Sequence, residues 1–122
     1  MESTLYQRLG GKLAVDAAVD LFYDKILKDA SLHRFFDGVD MERQRRHQKM
    51  FMAMAFGGPD QYAGEGLRDA HAHLVAHGLD DSHFVAVGNH LRSTLQDLGV
   101  TNDLVAEVMA IAGSAKNHVL NR

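Results

Sequence analysis

No stretch of this 122-residue chain alternates apolar and polar residues over the length of a strand, whereas apolar residues recur three and four apart in segment after segment. Positions three and four apart share a face of an α-helix, so each such segment reads as a helix with one buried side. Glycine supplies the punctuation: Gly10-Gly11, Gly38, Gly57-Gly58-Pro59, Gly78 and Gly99 each follow a helical pattern. Proline occurs once and tryptophan is absent, in keeping with a chain that is mostly helix. The fold class expected is all-α, and with no linker, repeat or low-complexity tract, residues 1–122 form one domain.

The segments follow in order. A short helix over Thr4 to Leu9 stops at Gly10-Gly11, and a second runs from Lys12 to Lys28 with Val15, Val19, Phe22, Tyr23 and Ile26 on one face. Ser31 is placed to cap a brief turn through Phe35-Phe36. Asp40 is a good N-cap for a helix to Phe56. Residues 60–66 lack periodicity, and a helix carrying His71 then runs from Gly66 to Gly78. Asp80 caps a long helix through Phe84, Val87, Leu91, Leu95 and Leu98. Thr101 caps the last one, whose stripe is Leu104, Val105, Val108, Ile111 and Ala112.

Composition removes several classes of function. There is no cysteine, so disulfides, thiolate metal sites and cysteine nucleophiles are excluded. A net charge of −3 gives no reason to expect nucleic acid or an anionic membrane as partner. The longest apolar run, Met50 to Phe56, is far shorter than a membrane span requires. The start, Met1-Glu2-Ser3-Thr4, lacks the basic and apolar regions of a signal peptide, so a cytoplasmic protein, monomeric by default, is expected. No phosphate-binding glycine loop, Ser-His-Asp set or carboxylate pair stands out.

Histidine is abundant, eight in all, and one of them is pointed inward. In the helix around His71, the residues Leu67, Ala70, Leu74 and Val75 fall on the imidazole's own face. A polar ring in an apolar interior needs a partner. A backbone carbonyl is one; a metal is the other, and the helix from Asp40 gives a reason to think of haem iron. With Gln44 at zero, His47 lies at about −60°, Gln48 at about +40° and Phe51 at about −20°. One arc thus holds two amides, an imidazole and a phenyl ring where a purely structural helix would carry aliphatic residues. Arg43, Arg45, Arg46 and Lys49 are close by, so the alternative is that Gln44, His47 and Gln48 face water. Tyr23, on the apolar face of its helix, needs a partner for its hydroxyl. That partner is a carbonyl, or a cluster with Gln44 and Gln48 around a ligand carrying negative charge.

At this point the residues resemble a known family. Leu5-Tyr6 before Leu9-Gly10-Gly11, Phe22-Tyr23, Arg34-Phe35-Phe36 and Asp40-Met41 leading to Gln44, His47, Gln48 and Lys49 are similar to the truncated haemoglobins, in their group I or cyanobacterial-type branch. Phe51-Met52, Ala55-Phe56-Gly57-Gly58, Ala70-His71, Leu74-Val75, His83-Phe84 and the ending Val119-Leu120-Asn121-Arg122 extend the likeness over nearly the whole chain. The resemblance implies a globin-like two-over-two helical sandwich holding haem b. It implies His71 as proximal iron ligand, Phe36 packed on the haem face, and Tyr23, Gln44 and Gln48 as distal hydrogen-bonding groups. Phe51, Leu74 and Phe84 would line the cofactor, and His47 would be a distal iron ligand when no gas is present, provided its helix shifts inward.

One departure concerns the last helix. Relatives that attach a haem vinyl to a histidine there carry it three residues after a Gly-Ser pair. Counted from Gly113-Ser114 that position is Asn117, with His118 next. An offset of one residue turns a side chain by about 100°, which argues against a covalent link unless a local irregularity intervenes. His73 and His77, spaced four apart, read as a solvated face, and His33, His83 and His90 as surface or capping residues. Arg46 or Lys49 is the first choice for neutralising haem propionates.

The expected function is reversible binding of diatomic ligands, O2 first and NO and CO also. The alternative is a nitric oxide dioxygenase, which would need an external reductase because the chain has no flavin or nicotinamide domain. A third possibility is a haem-free helical bundle that uses its histidines for zinc.

Overall fold

The computed structural model describes residues 4–57 and 64–121, without the side chains of Met54 and of residues 64–69. Leu67, singled out above, therefore lies outside the described side chains, and Gly58 and Pro59 lie outside the described residues. Among the described residues seven helices follow one another: α1 (Leu5–Arg8), α2 (Gly11–Lys28), α3 (Met41–Ala55), α4 (Gly64–Ala76), α5 (Asp81–Asp97), α6 (Asn102–Ser114) and α7 (Lys116–Val119), with a 3₁₀ turn, His33–Phe36, between α2 and α3. No strand occurs among the described residues.

Helix α2 is the centre of the packing. It rests on α3 along one side and on α5 along another, α5 rests on α6, and α4 rests on α7. Two helix pairs, α2 with α3 and α5 with α6, are thus joined through the α2–α5 contact. The stripe expected for α2 is the one buried: Val15, Val19, Phe22, Tyr23 and Ile26 are all in the core. Leu91, Leu95, Val105 and Val108 meet it from α5 and α6.

Local chemistry sets the helix ends. The Thr4 hydroxyl accepts from the Gln7 N–H while the Gln7 side chain accepts from the Thr4 N–H, each at 3.1 Å, closing a capping box around α1. That cap is packed against the end of α3: Tyr6 N–H donates to the Phe56 carbonyl at 2.8 Å. Gly57 has φ 111°, and a Cβ there would sit 2.7 Å from the Thr4 Cβ, so this junction requires glycine. Helix α5 begins with a reciprocal arrangement, in which Asp80 accepts from the Ser82 N–H at 2.9 Å and the His83 imidazole accepts from the Asp80 N–H at 3.1 Å.

Three boundaries differ from expectation. Ser31 does not cap the 3₁₀ turn, whose N-cap is Leu32, one residue later; the Ser31 N–H and hydroxyl instead donate to Asp29 Oδ1, at 2.8 and 2.7 Å. Helix α4 starts at Gly64, inside the stretch that shows no period. The C-terminal helix is two pieces rather than one, broken at Ala115, where the Ser114 hydroxyl turns back to the Ile111 carbonyl at 2.6 Å. Thr101 occupies the N-cap of α6 in extended conformation, yet its side chain makes no capping bond.

Candidate functional site

The helices enclose a cavity of about 390 Å³. One wall comes from α4, through Ala70, His71 and Leu74, with His71 itself half-buried. The opposite wall comes from α2 and α3, through Tyr23, Gln44, Gln48 and Phe51. Phe36 from the 3₁₀ turn and Phe84 from α5 complete the aromatic lining. Eight of the nine residues expected at the site thus border one space, although they come from five separate elements.

The polar groups of the second wall form a directed chain. Gln44 Nε2 donates to the Tyr23 hydroxyl, and the hydroxyl donates to Gln48 Oε1, both at 3.2 Å. Gln44 and Gln48 are one helical turn apart, so a single face of α3 presents both to the same hydroxyl. Tyr23 is only 3% exposed. Burial pushes the phenol above its ordinary value, against the opposing pull of the Gln44 bond and the Arg45 charge. The hydroxyl therefore keeps its proton, and because Gln44 occupies one of its lone pairs that proton is directed onward. Phe36 meets the Tyr23 ring edge-on, with centroids 5.8 Å apart, and Phe22 packs beside it at 5.3 Å.

His47 is the exception. It is exposed and does not border the cavity, since α3 is turned so that Gln44, Gln48, Phe51, Met52 and Ala55 do. Three of its basic neighbours are engaged elsewhere. Arg45 reaches α2, donating to the Asp20 carbonyl at 2.9 Å and to Asp24 at 2.8 Å, and Lys49 lies 3.3 Å from Asp20. Arg46 pairs with Glu42 on its own helix at 3.3 Å.

Some lining residues were not singled out from the sequence. His83 lines the cavity as well as capping α5, and its ring stands edge-on to Phe35 with centroids 5.0 Å apart. His73, though exposed, also borders the space, so its face of α4 is not wholly turned to solvent. Leu79, Ala115 and Val119 close the far side. His118 is half-buried on α7 but is not a lining residue. The break at Ala115 is a local irregularity of the kind that shifts side-chain angles, and it brings Ala115 and Val119, not His118, to the cavity. A capping histidine can be read from its distance to Asp80; that it also faces a cavity follows only from how α5 packs.

The chemistry of this space suits haem. A flat, apolar macrocycle is accommodated by aromatic and aliphatic walls, an imidazole stands on one side, and hydroxyl and amide groups stand on the other. Among the described residues no three His, Asp or Glu side chains gather into a site for a bare metal ion. Nor is any described helix long and apolar enough to cross a membrane.

Comparison with known proteins agrees with this geometry. Residues 4–121 match the family model described as bacterial-like globin. The chain is 52% identical to the group 1 truncated haemoglobin GlbN of Synechocystis, over 98% of this chain and 99% of that one. The 2/2 haemoglobin of Synechococcus sp. PCC 7002, solved in the cyanomet state with covalently attached haem, superposes with a TM-score of 0.93 at 49% identity, covering 98% of this chain and 100% of that one. The truncated haemoglobin of Tetrahymena pyriformis in its Fe(III) form gives 0.87 at 36% identity, covering 97% and 98%.

Proposed function

This chain belongs to the bacterial-like globin family, in its group 1 truncated haemoglobin branch, and on that footing we propose that it reversibly binds O2, with NO and CO as further ligands, at a haem held by His71. Its fold is the two-over-two globin sandwich, and haem is its cofactor. The observation that carries the reading is the Gln44–Tyr23–Gln48 chain facing the same cavity as His71.

Haem supplies an iron centre able to bind diatomic gases. The rest is the work of side chains. His71 fixes the group from the α4 side, with Leu74 one turn away on the same wall. Phe36, Phe51 and Phe84 keep water away, which strengthens hydrogen bonds within the space. Tyr23 is held as a donor by the bond it accepts from Gln44, and a ligand with partial negative charge draws that proton away from Gln48. Gln48 is then free to turn its amide N–H toward the same ligand. His47 stands just beyond the lining face and acts as an internal competitor, entering when α3 shifts and no gas is bound. Reversible binding is the role proposed; oxidation of nitric oxide to nitrate would in addition draw electrons from a separate reductase.

The test is the oxygen dissociation rate of Tyr23→Phe. A charge-assisted hydrogen bond contributes about 1–3 kcal/mol, so release should quicken by about fivefold to 150-fold. An unchanged rate would make Tyr23 a core residue and remove the donor set from the function.

A further inference from the structure

The lining face of α3 is flanked unequally. On the helical wheel that has Gln44 at zero, the lining residues Gln44, Gln48, Phe51, Met52 and Ala55 centre at about +20°, His47 lies at about −60°, and Arg45 and Lys49 lie at about +100° and +140°. His47 is therefore on one flank and two cations are on the other. Both cations are tied to α2. Arg45 donates to the Asp20 carbonyl at 2.9 Å, contacts the Asp20 carboxylate at 3.3 Å and donates to Asp24 at 2.8 Å. Lys49 sits 3.3 Å from the same Asp20 carboxylate. The Arg45 and Lys49 side chains are 21% and 26% exposed and the Asp20 side chain 49%, so the ties join partly buried cations to a half-exposed carboxylate and keep a modest strength in water. The Arg45 guanidinium also lies 5.8 Å from the centroid of the Tyr23 ring, placing it directly behind the donor wall.

Bringing His47 to the middle of the lining face requires a turn of about 80°. The same turn carries Arg45 and Lys49 away from α2. We propose that Asp20 is the anchor of a latch, closed by Arg45 and Lys49, that holds α3 with Gln44 and Gln48 inward and His47 outside the cavity. Asp20 is a positioning residue: it sets how strongly His47 competes with an incoming gas, without touching either. The inference rests on the reading of His47 as an internal competitor. Opening the latch shifts the population toward the His47-bound form, and the apparent gas affinity falls with the open fraction.

The test uses the haem-loaded protein and variants Asp20→Asn, Asp20→Glu, His47→Ala and the double variant Asp20→Asn/His47→Ala. The ferrous visible spectrum reports the six-coordinate fraction, and CO association kinetics report the ratio of His47-bound to open forms. Asp20→Asn should raise that ratio by about fivefold, the effect of a small charge network. Asp20→Glu should return it toward the parent value. In the His47→Ala background, Asp20→Asn should leave both CO kinetics and spectrum unchanged, which a merely structural lesion would not do. Lys49→Gln, which leaves Arg45 in place, should give a smaller shift of the same sign and serves if Asp20→Asn folds poorly. A ratio that is unchanged or lowered in Asp20→Asn, or an equal effect without His47, overturns the latch alone. If His47→Ala itself alters neither spectrum nor kinetics, the competitor reading falls and the latch with it.

Discussion

Tyr23 and Thr94 are both buried hydroxyls, and the contrast between them shows what a partner does. Tyr23 accepts from Gln44 and donates to Gln48. Thr94 on α5 is fully buried, and among the described residues its hydroxyl has no hydrogen-bond partner. A buried polar atom without a partner costs free energy, and a shape-matched apolar replacement recovers it. Thr94→Val should therefore stabilise the fold by about 1 kcal/mol, raising the thermal midpoint by roughly 3 °C. A lowered midpoint in calorimetry would show that the hydroxyl is satisfied after all. Much of the donor wall was legible in advance, because Gln44 and Gln48 one turn apart and a tyrosine on an apolar stripe obey simple helical spacing. The position of His47 was not. At the edge of the arc, water or cavity is decided by how α3 is rotated, and ties to Asp20 and Asp24 on another helix decide that rotation.

Elements are joined here more by polar clasps at their ends than their apolar stripes suggest. Asp29, at the end of α2, accepts from Ser31 and meets His90 Nε2 of α5 at 2.7 Å, while Lys25 pairs with Asp97 at 2.6 Å further along the same helices. The bond to His90 first, then those to Ser31, hold the Asp29 carboxyl down to about 2 from an ordinary 3.8. A carboxylate with a depressed value stabilises the fold fully above its unfolded value and loses that contribution as pH falls. The clasp should therefore be intact above pH 3.8 and released as pH drops toward about 2. Asp29→Asn should flatten the fall in stability across that window, read by denaturant melts followed by circular dichroism, and should destabilise the protein at neutral pH. A parallel acid profile in the variant would remove Asp29 from the α2–α5 junction. The sequence located these helices well, since their apolar periods are long and unbroken. It placed the start of the 3₁₀ turn one residue early, at Ser31 rather than Leu32, and it missed the break at Ala115, which lies beyond the stripe that ends at Ala112.

For the whole molecule, one cavity collects side chains from every described helix between Phe22 and Val119. Helix periodicity marked His71 and Tyr23 as polar groups on apolar faces but left the α3 amides between water and a pocket, and the match of motifs decided for the pocket. Leu79, Ala115 and Val119 carry no such mark, being ordinary core types that become lining only through packing. The proposed function then reduces to a bond between His71 and haem iron, and this is directly measurable. Purified protein incubated with hemin should show a Soret band with the spectrum of histidine ligation. His71→Gly should lose stable haem, and free imidazole should restore the band. A preparation that stays colourless, or a His71→Gly spectrum matching that of the parent, would contradict the assignment.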